Sequence, residues 1–190
     1  MQTNFVLMAQ NTIVACSKLQ WFPPKSAKAR ISWGGVHGMV KFHQNSFFDP
    51  TIIWISLHGL KNFPVRFSVY DFPVPQKLST SEDRCRDANV GSIFNPYHYN
   101  IDVIGDALVT DDLYAIGDLA GKIGALTTDG FEYYTDWNLP LYGRNSIVGR
   151  SIVLVDANMT RVCANIHEDG DVITAVAEFR YPAYGTLYMR

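Results

Sequence analysis

Apolar residues recur along this chain in short runs with a period of two. "ARISWGGVHGMVKFHQ" (29–44) holds two alternating runs broken by Gly34-Gly35, and "TIIWISLHGL" (51–60) sets Ile52, Trp54 and Ser56 against Ile53, Ile55 and Leu57. Successive side chains of a strand leave opposite faces, so this alternation predicts half-buried strands. Further strand-like runs are "VRFSVYDF" (65–72), "LYAIGDL" (113–119), "KIGALT" (122–127), "SIVGRSIVLV" (146–155) and "RVCANI" (161–166). Turn signals separate them: Asp49-Pro50, His58-Gly59, Asp118, Asp129-Gly130 and Asp169-Gly170. No segment holds a 3.6 period over a helical length. Residues 73–112 form one long polar stretch, relieved only by "IDVIGDALV". A loop that long inside a compact domain is functional or tied down, and Cys85 within it points to a staple. The expectation is an all-β domain.

The two ends repeat one another. "NFVLMAQNTIVAC" (4–16) aligns without a gap to "SIVLVDANMTRVC" (151–163) at an offset of 147, matching Val6, Leu7, Asn11 and Cys16 to Val153, Leu154, Asn158 and Cys163. "ARISWGGVHGMVKFH" (29–43) matches "VAEFRYPAYGTLYMR" (176–190) at the same offset, with Gly38 on Gly185. Self-similarity at one fixed offset marks a repeated unit. Residues 1–26 then carry the last strand and linker of a preceding repeat, 27–167 a complete domain, and 168–190 a linker and the first strands of a following repeat. The same scheme accounts for three cysteines: Cys85 pairs with Cys163 inside the unit, and Cys16 belongs to the unit before. The competing reading of residues 1–16 as a signal peptide lacks a basic leader, and Gln10 and Asn11 interrupt its apolar stretch.

Composition narrows the function. Of 190 residues 47% are hydrophobic and 18% charged, with a net charge of −2. Scattered Lys and Arg at that balance argue against nucleic acid. No apolar run reaches the roughly 18 residues of a membrane helix, so no membrane span is expected. No C-x-x-C pair is present to build a zinc or redox motif.

Several strings, in order, resemble copper/zinc superoxide dismutase. "GGVHGMVKFHQ" is similar to its opening strands, "SIFNP" (92–96) to its G-P-H-F-N-P segment, and "AIGDLAGKIGAL" (115–126) to its H-V-G-D-L-G-N-V motif. "SIVGRSIVLV" resembles S-I-I-G-R-T-L-V-V-H, and "RVCANI" the strand carrying the second disulfide cysteine. The repeat and the "YAIGDLAGK" wording resemble the copper-only superoxide-dismutase repeat proteins, which are typically extracellular. The resemblance covers roughly residues 27–167. It implies a flattened eight-stranded Greek-key β-barrel with one long loop pinned by a disulfide.

The resemblance also locates what is missing. Copper in this family is held by imidazoles, two of them at i and i+2 of an F-H-V-H-E-F strand, where they share a face. "FSVYDF" (67–72) stands there, with Ser68 and Tyr70 at the ligand positions. The bridging histidine falls at Ile93 and the last copper histidine at Val155. Asp118 matches the zinc-binding aspartate, but Ala115 replaces the residue three before it, so Asp118 is expected to serve as a turn aspartate. His37 and His43 are expected in adjoining edge strands, and His58, His98 and His167 on the solvated surface. A weak site from His98 with Asp102 or Asp106, and loose calcium binding by "HEDGD" (167–171), are the residual metal options. The family's superoxide-attracting arginine lies three residues before the cysteine; Arg161 lies two before Cys163, which moves it to the other strand face. Arg150 matches a family arginine with a structural role. Asn158-Met159-Thr160 is a glycosylation sequon and fits an extracellular or cell-surface chain.

These readings converge on a non-catalytic dismutase-like module of an extracellular protein, structural or interacting, with neighbouring repeats as partners and no cofactor of its own. The alternative is part of a copper-dependent dismutase whose sibling repeats, or substitute ligands here, bind copper and dismutate superoxide. A third reading is a metal store built from surface histidines and acids.

Overall fold

The computed structural model describes residues 4–18, 23–76, 84–99, 110–170, 175–179 and 184–189. A first hairpin pairs β1 (Asn4–Ala9) with β2 (Thr12–Lys18) across the left-handed residues Gln10 and Asn11. Seven strands then form one antiparallel sheet: β3 (Lys25–Trp33), β4 (Val36–Gln44), β5 (Thr51–His58), β6 (Arg66–Tyr70), β7 (Gly130–Asp136), β8 (Ser151–Val155) and β9 (Arg161–Glu168). A last hairpin pairs β10 (Ala175–Phe179) with β11 (Gly185–Met189).

The seven strands stand in the order β6-β8-β9-β3-β4-β5-β7. After β5 the chain crosses to the far edge for β6, returns for β7 and crosses again for β8, which is Greek-key travel. An isolated bridge between Val65 and Leu126 extends the β6 edge in place of an eighth ladder strand. The sheet curls round one core fed by alternate residues: Ile31 of β3, Phe42 of β4, Ile53 and Ile55 of β5, Phe67 of β6 and Ile152 of β8, each at most 1% exposed. Burying a side chain of this size stabilises by about 1.5–3 kcal/mol. The expected all-β barrel is the fold observed.

The long loop is anchored as its cysteine implied. A disulfide joins Cys85 to Cys163 of β9. One short helix, α1 (Asp87–Val90), follows it, and Val90 packs with Cys85, Tyr70 and Val153 in a small second core.

Three local expectations change. "LYAIGDL" is not a strand: a 3-10 turn covers Asp111–Leu113 and a second helix, α2, covers Leu119–Ile123, reaching into "KIGALT". Asp118 caps α2, its carboxylate accepting the Gly121 amide at 3.0 Å, and Gly124 closes the helix with φ +91°. Those two residues override alternation, because a capping carboxylate satisfies amides that a strand would otherwise have to pair. Strand β7 is new. Its outward residues are Phe131, Tyr133 and Thr135, while Glu132, Tyr134 and Asp136 turn inward, so the polar and apolar faces are inverted and the run does not read as a half-buried strand. Finally, His37 and His43 both lie on β4, an interior strand of the sheet rather than an edge.

One buried ion pair ties α2 to β7. The Lys122 ammonium meets the Asp136 carboxylate with both side chains sealed from solvent, and also donates to the Ile116 carbonyl at 2.9 Å. Asp136 is further satisfied by the Asn138 amide at 2.7 Å.

Candidate functional site

Strand β6 delivers Ser68 and Tyr70 to the lip of the barrel. Its ladder with β8 sets Tyr70 opposite Ser151 and Arg66 opposite Val155, and a single bridge sets Tyr70 beside Ile93. A cleft of about 710 Å³ opens here, with Tyr70, Ile93, Ala115 and Asp118 in its wall and His98 and Asp87 at its margin. Four positions assigned from the family pattern therefore share one cleft. Ser68 lies buried beneath, its hydroxyl donating to Asp118 Oδ1 at 3.4 Å. Val155 ends β8 and is absent from the cleft wall.

The side chains here do not make a donor set for copper. Ile93, Val155 and Ala115 offer no lone pair. Burial pushes the Tyr70 phenol above its ordinary value, against the opposing pull of Arg161, so it is neutral and a poor ligand at physiological pH. Asp118 is already engaged by the Gly121 amide and the Ser68 hydroxyl, with Arg66 Nη2 at 4.0 Å. Among the described residues no group of three or more His, Cys, Asp or Glu is placed to hold a metal ion.

Arg161 stands two residues from Cys163 on the disulfide side of β9. Its guanidinium donates to the Cys85 carbonyl at 3.0 Å and pairs with Asp87. The hydrogen bond to Asp87 raises its pKa, and the nearby Tyr70 acts in the same direction. Arg150 is structural in its contacts: it donates to the Asp71 carbonyl at 2.7 Å and lies 3.5 Å over the Phe94 ring.

The other candidates scatter. His98 sits on the cleft rim in a left-handed turn, but Asp102 and Asp106 lie outside the described residues. In the "HEDGD" run, Asp169 is taken by Lys28, and Asp171 lies outside the described residues. Asn158 is exposed in the turn between β8 and β9, next to left-handed Met159. One pairing escaped sequence reasoning: His37 and His58 stand directly opposite each other on β4 and β5. Strand register creates it, and spacing along the chain carries no sign of it.

No family model matches the chain. It is 31% identical over 131 residues to Cu-Zn superoxide dismutase 5 of Dictyostelium discoideum, covering 69% of this chain and 78% of that protein. The chain belongs to the copper/zinc superoxide dismutase family. A cell surface Cu-Zn superoxide dismutase 6 of Candida albicans is 37% identical over 87 residues, covering 44% of this chain and 27% of that protein. Among solved dismutases, Candida albicans superoxide dismutase 5 in a copper(II) form superposes with a TM-score of 0.65 at 27% identity, covering 78% of this chain and 95% of that one. A point variant of the same enzyme gives 0.66 at 26% identity, covering 80% and 96%.

Proposed function

We propose that this unit is a non-catalytic member of the dismutase family, a structural or interaction module in a repeated, extracellular or cell-surface protein. The observation that carries the reading is the β6 pair: the family pattern puts two imidazoles at positions 68 and 70, and this strand offers a buried Ser68 hydroxyl and the Tyr70 phenol. Superoxide dismutation needs an ion that cycles between oxidation states, and a neutral phenol, a hydroxyl and three aliphatic side chains do not hold one. The cell-surface description of the Candida relative and the Cys85–Cys163 disulfide favour an oxidising, external location.

The repeat reading draws support from strand register. In the first hairpin Asn4 faces Lys18, Phe5 faces Ser17 and Val6 faces Cys16. In the barrel Ser151 faces Asn165, Ile152 faces Ala164 and Val153 faces Cys163, the same pairs displaced by 147. The terminal β10–β11 hairpin corresponds to β3–β4 at that offset with the pairing slipped by one residue, Phe179 facing Gly185 where Ile31 faces Gly38. In β1 the apolar side chains Phe5, Val6 and Leu7 are 56%, 42% and 52% exposed, whereas their counterparts in β8, Ile152, Val153 and Leu154, are at most 2% exposed. A hairpin patterned for burial and left uncovered is what a fragment of an adjacent barrel looks like.

The test is to load the oxidised chain with copper and measure superoxide consumption. The expected outcome is no dismutation above that of free copper displaced by a chelator. Chelator-resistant activity that falls on Tyr70→Phe or Ser68→Ala overturns the proposal and favours catalysis by substitute ligands.

A further inference from the structure

His37 and His58, separated by 21 positions in the sequence, are direct partners in the β4–β5 ladder. Both are on the outer face, since Val36, Val40, Ile55 and Leu57 take the inner one. Their ring centroids are 5.7 Å apart and their planes 36° from parallel. An imidazole nitrogen binds a divalent transition metal at about 2.0–2.1 Å, which puts two rings sharing one ion roughly 4.5–6 Å apart between centroids. The observed pair already lies in that range.

Two observations single the pair out from the other histidines. Neither ring is hydrogen-bonded among the described residues, whereas His43 has Ser26 on one ring nitrogen at 2.8 Å and Asn45 on the other at 3.0 Å. The residue preceding β7 then brings a carboxylate up to the pair. Leu57 pairs with Gly130, so Asp129 comes up beside His58, with Oδ2 3.9 Å from Nδ1. Asp129 is fixed by the Leu60 and Gly59 amides at 3.0 Å each. At 3.9 Å the carboxylate makes no hydrogen bond to the ring, and its negative charge favours a cation bound at the pair.

We infer that His37 and His58 form a two-imidazole chelate for one divalent transition-metal ion of the Cu(II) or Zn(II) class, with water completing the coordination and Asp129 as the anion behind His58. The site lies on the outer face of the β4–β5–β7 sheet, and none of its residues lines the Tyr70 cleft. Cu(II) is bound most tightly, as nitrogen donors follow the order of the first-row divalent ions.

The experiment is Cu(II) titration of the whole chain carrying Cys16→Ser, which removes the exposed free thiol. Calorimetry gives stoichiometry, and electron paramagnetic resonance counts the coordinated nitrogens. One equivalent with a two-nitrogen signature is expected. His37→Gln or His58→Gln lowers affinity at least ~10-fold and leaves a single nitrogen, Asp129→Asn weakens it by up to about 10-fold, and His43→Gln or His98→Gln changes nothing. These are surface positions, and circular dichroism confirms that each variant is folded. No saturable binding, or one-equivalent binding that survives in the His37→Gln, His58→Gln double variant, overturns the inference. Superoxide consumption measured on the same samples separates this result from the proposed function. Activity with copper retained in the double variant sinks both readings. Binding lost in the double variant together with dismutation in the parent keeps the metal site and sinks only the non-catalytic reading.

Discussion

Asp129 shows how one carboxylate at a strand entrance acts on stability through pH. Its amide bonds to Gly59 and Leu60 favour the charged form and lower its pKa below 3.8. A depressed carboxylate contributes stability above its unfolded pKa and loses it as pH falls through the folded value. Asp129→Asn is therefore expected to destabilise fully at neutral pH, with the difference from the parent closing as pH drops below 3.8. Denaturant midpoints measured at a series of pH values read this directly, and a constant difference across the series would contradict it. At this scale the sequence was informative in part. The absence of histidine at 68, 70, 93 and 155 is plain from the residues, because the family motif assigns each position. The meeting of His37, His58 and Asp129 is not, because it depends on strand register. Likewise Arg161 stands two residues from Cys163 as counted, but its bonds to Cys85 and Asp87 depend on how the long loop is laid down.

Among the elements, α2 and β7 are those that alternation misjudged, and they are joined by the buried Lys122–Asp136 pair. The inner face of β7 is polar at Glu132 and Asp136, so the hydrophobic signal of a strand is absent although all seven of its residues pair with β5. Strands β3, β4, β5, β6, β8 and β9 were legible because aliphatic and aromatic residues recur along them in short runs between turn signals. Breaking the buried pair by Lys122→Met strands the Asp136 carboxylate and is expected to destabilise by about 3–5 kcal/mol. Replacing both partners, Lys122→Met with Asp136→Leu, removes the stranded charge and is expected to recover most of that loss. Urea unfolding of the single and double variants settles the point: equal losses would show that the pair is not coupled.

At the scale of the whole molecule, the Cys85–Cys163 link closes a loop over a separation of 78 residues. By chain entropy such a link stabilises by up to about 4.5 kcal/mol. It also fixes the loop that carries the cleft wall to β9. The two ends of the barrel meet at β3 and β9. Ala27 pairs with Glu168, the Asp169 amide donates to the Ser26 carbonyl at 2.7 Å, and Lys28 pairs with Asp169. The chain thus enters and leaves the barrel side by side at one corner. Tension applied between those ends loads the three β3–β9 rungs one after another instead of shearing them together. Units joined in series through that corner would unzip at low force, and force spectroscopy on tandem copies is expected to show low first-rupture peaks that rise when the ends are moved to opposite sides of the sheet. Such an array would yield under load like a stitched seam, one stitch at a time.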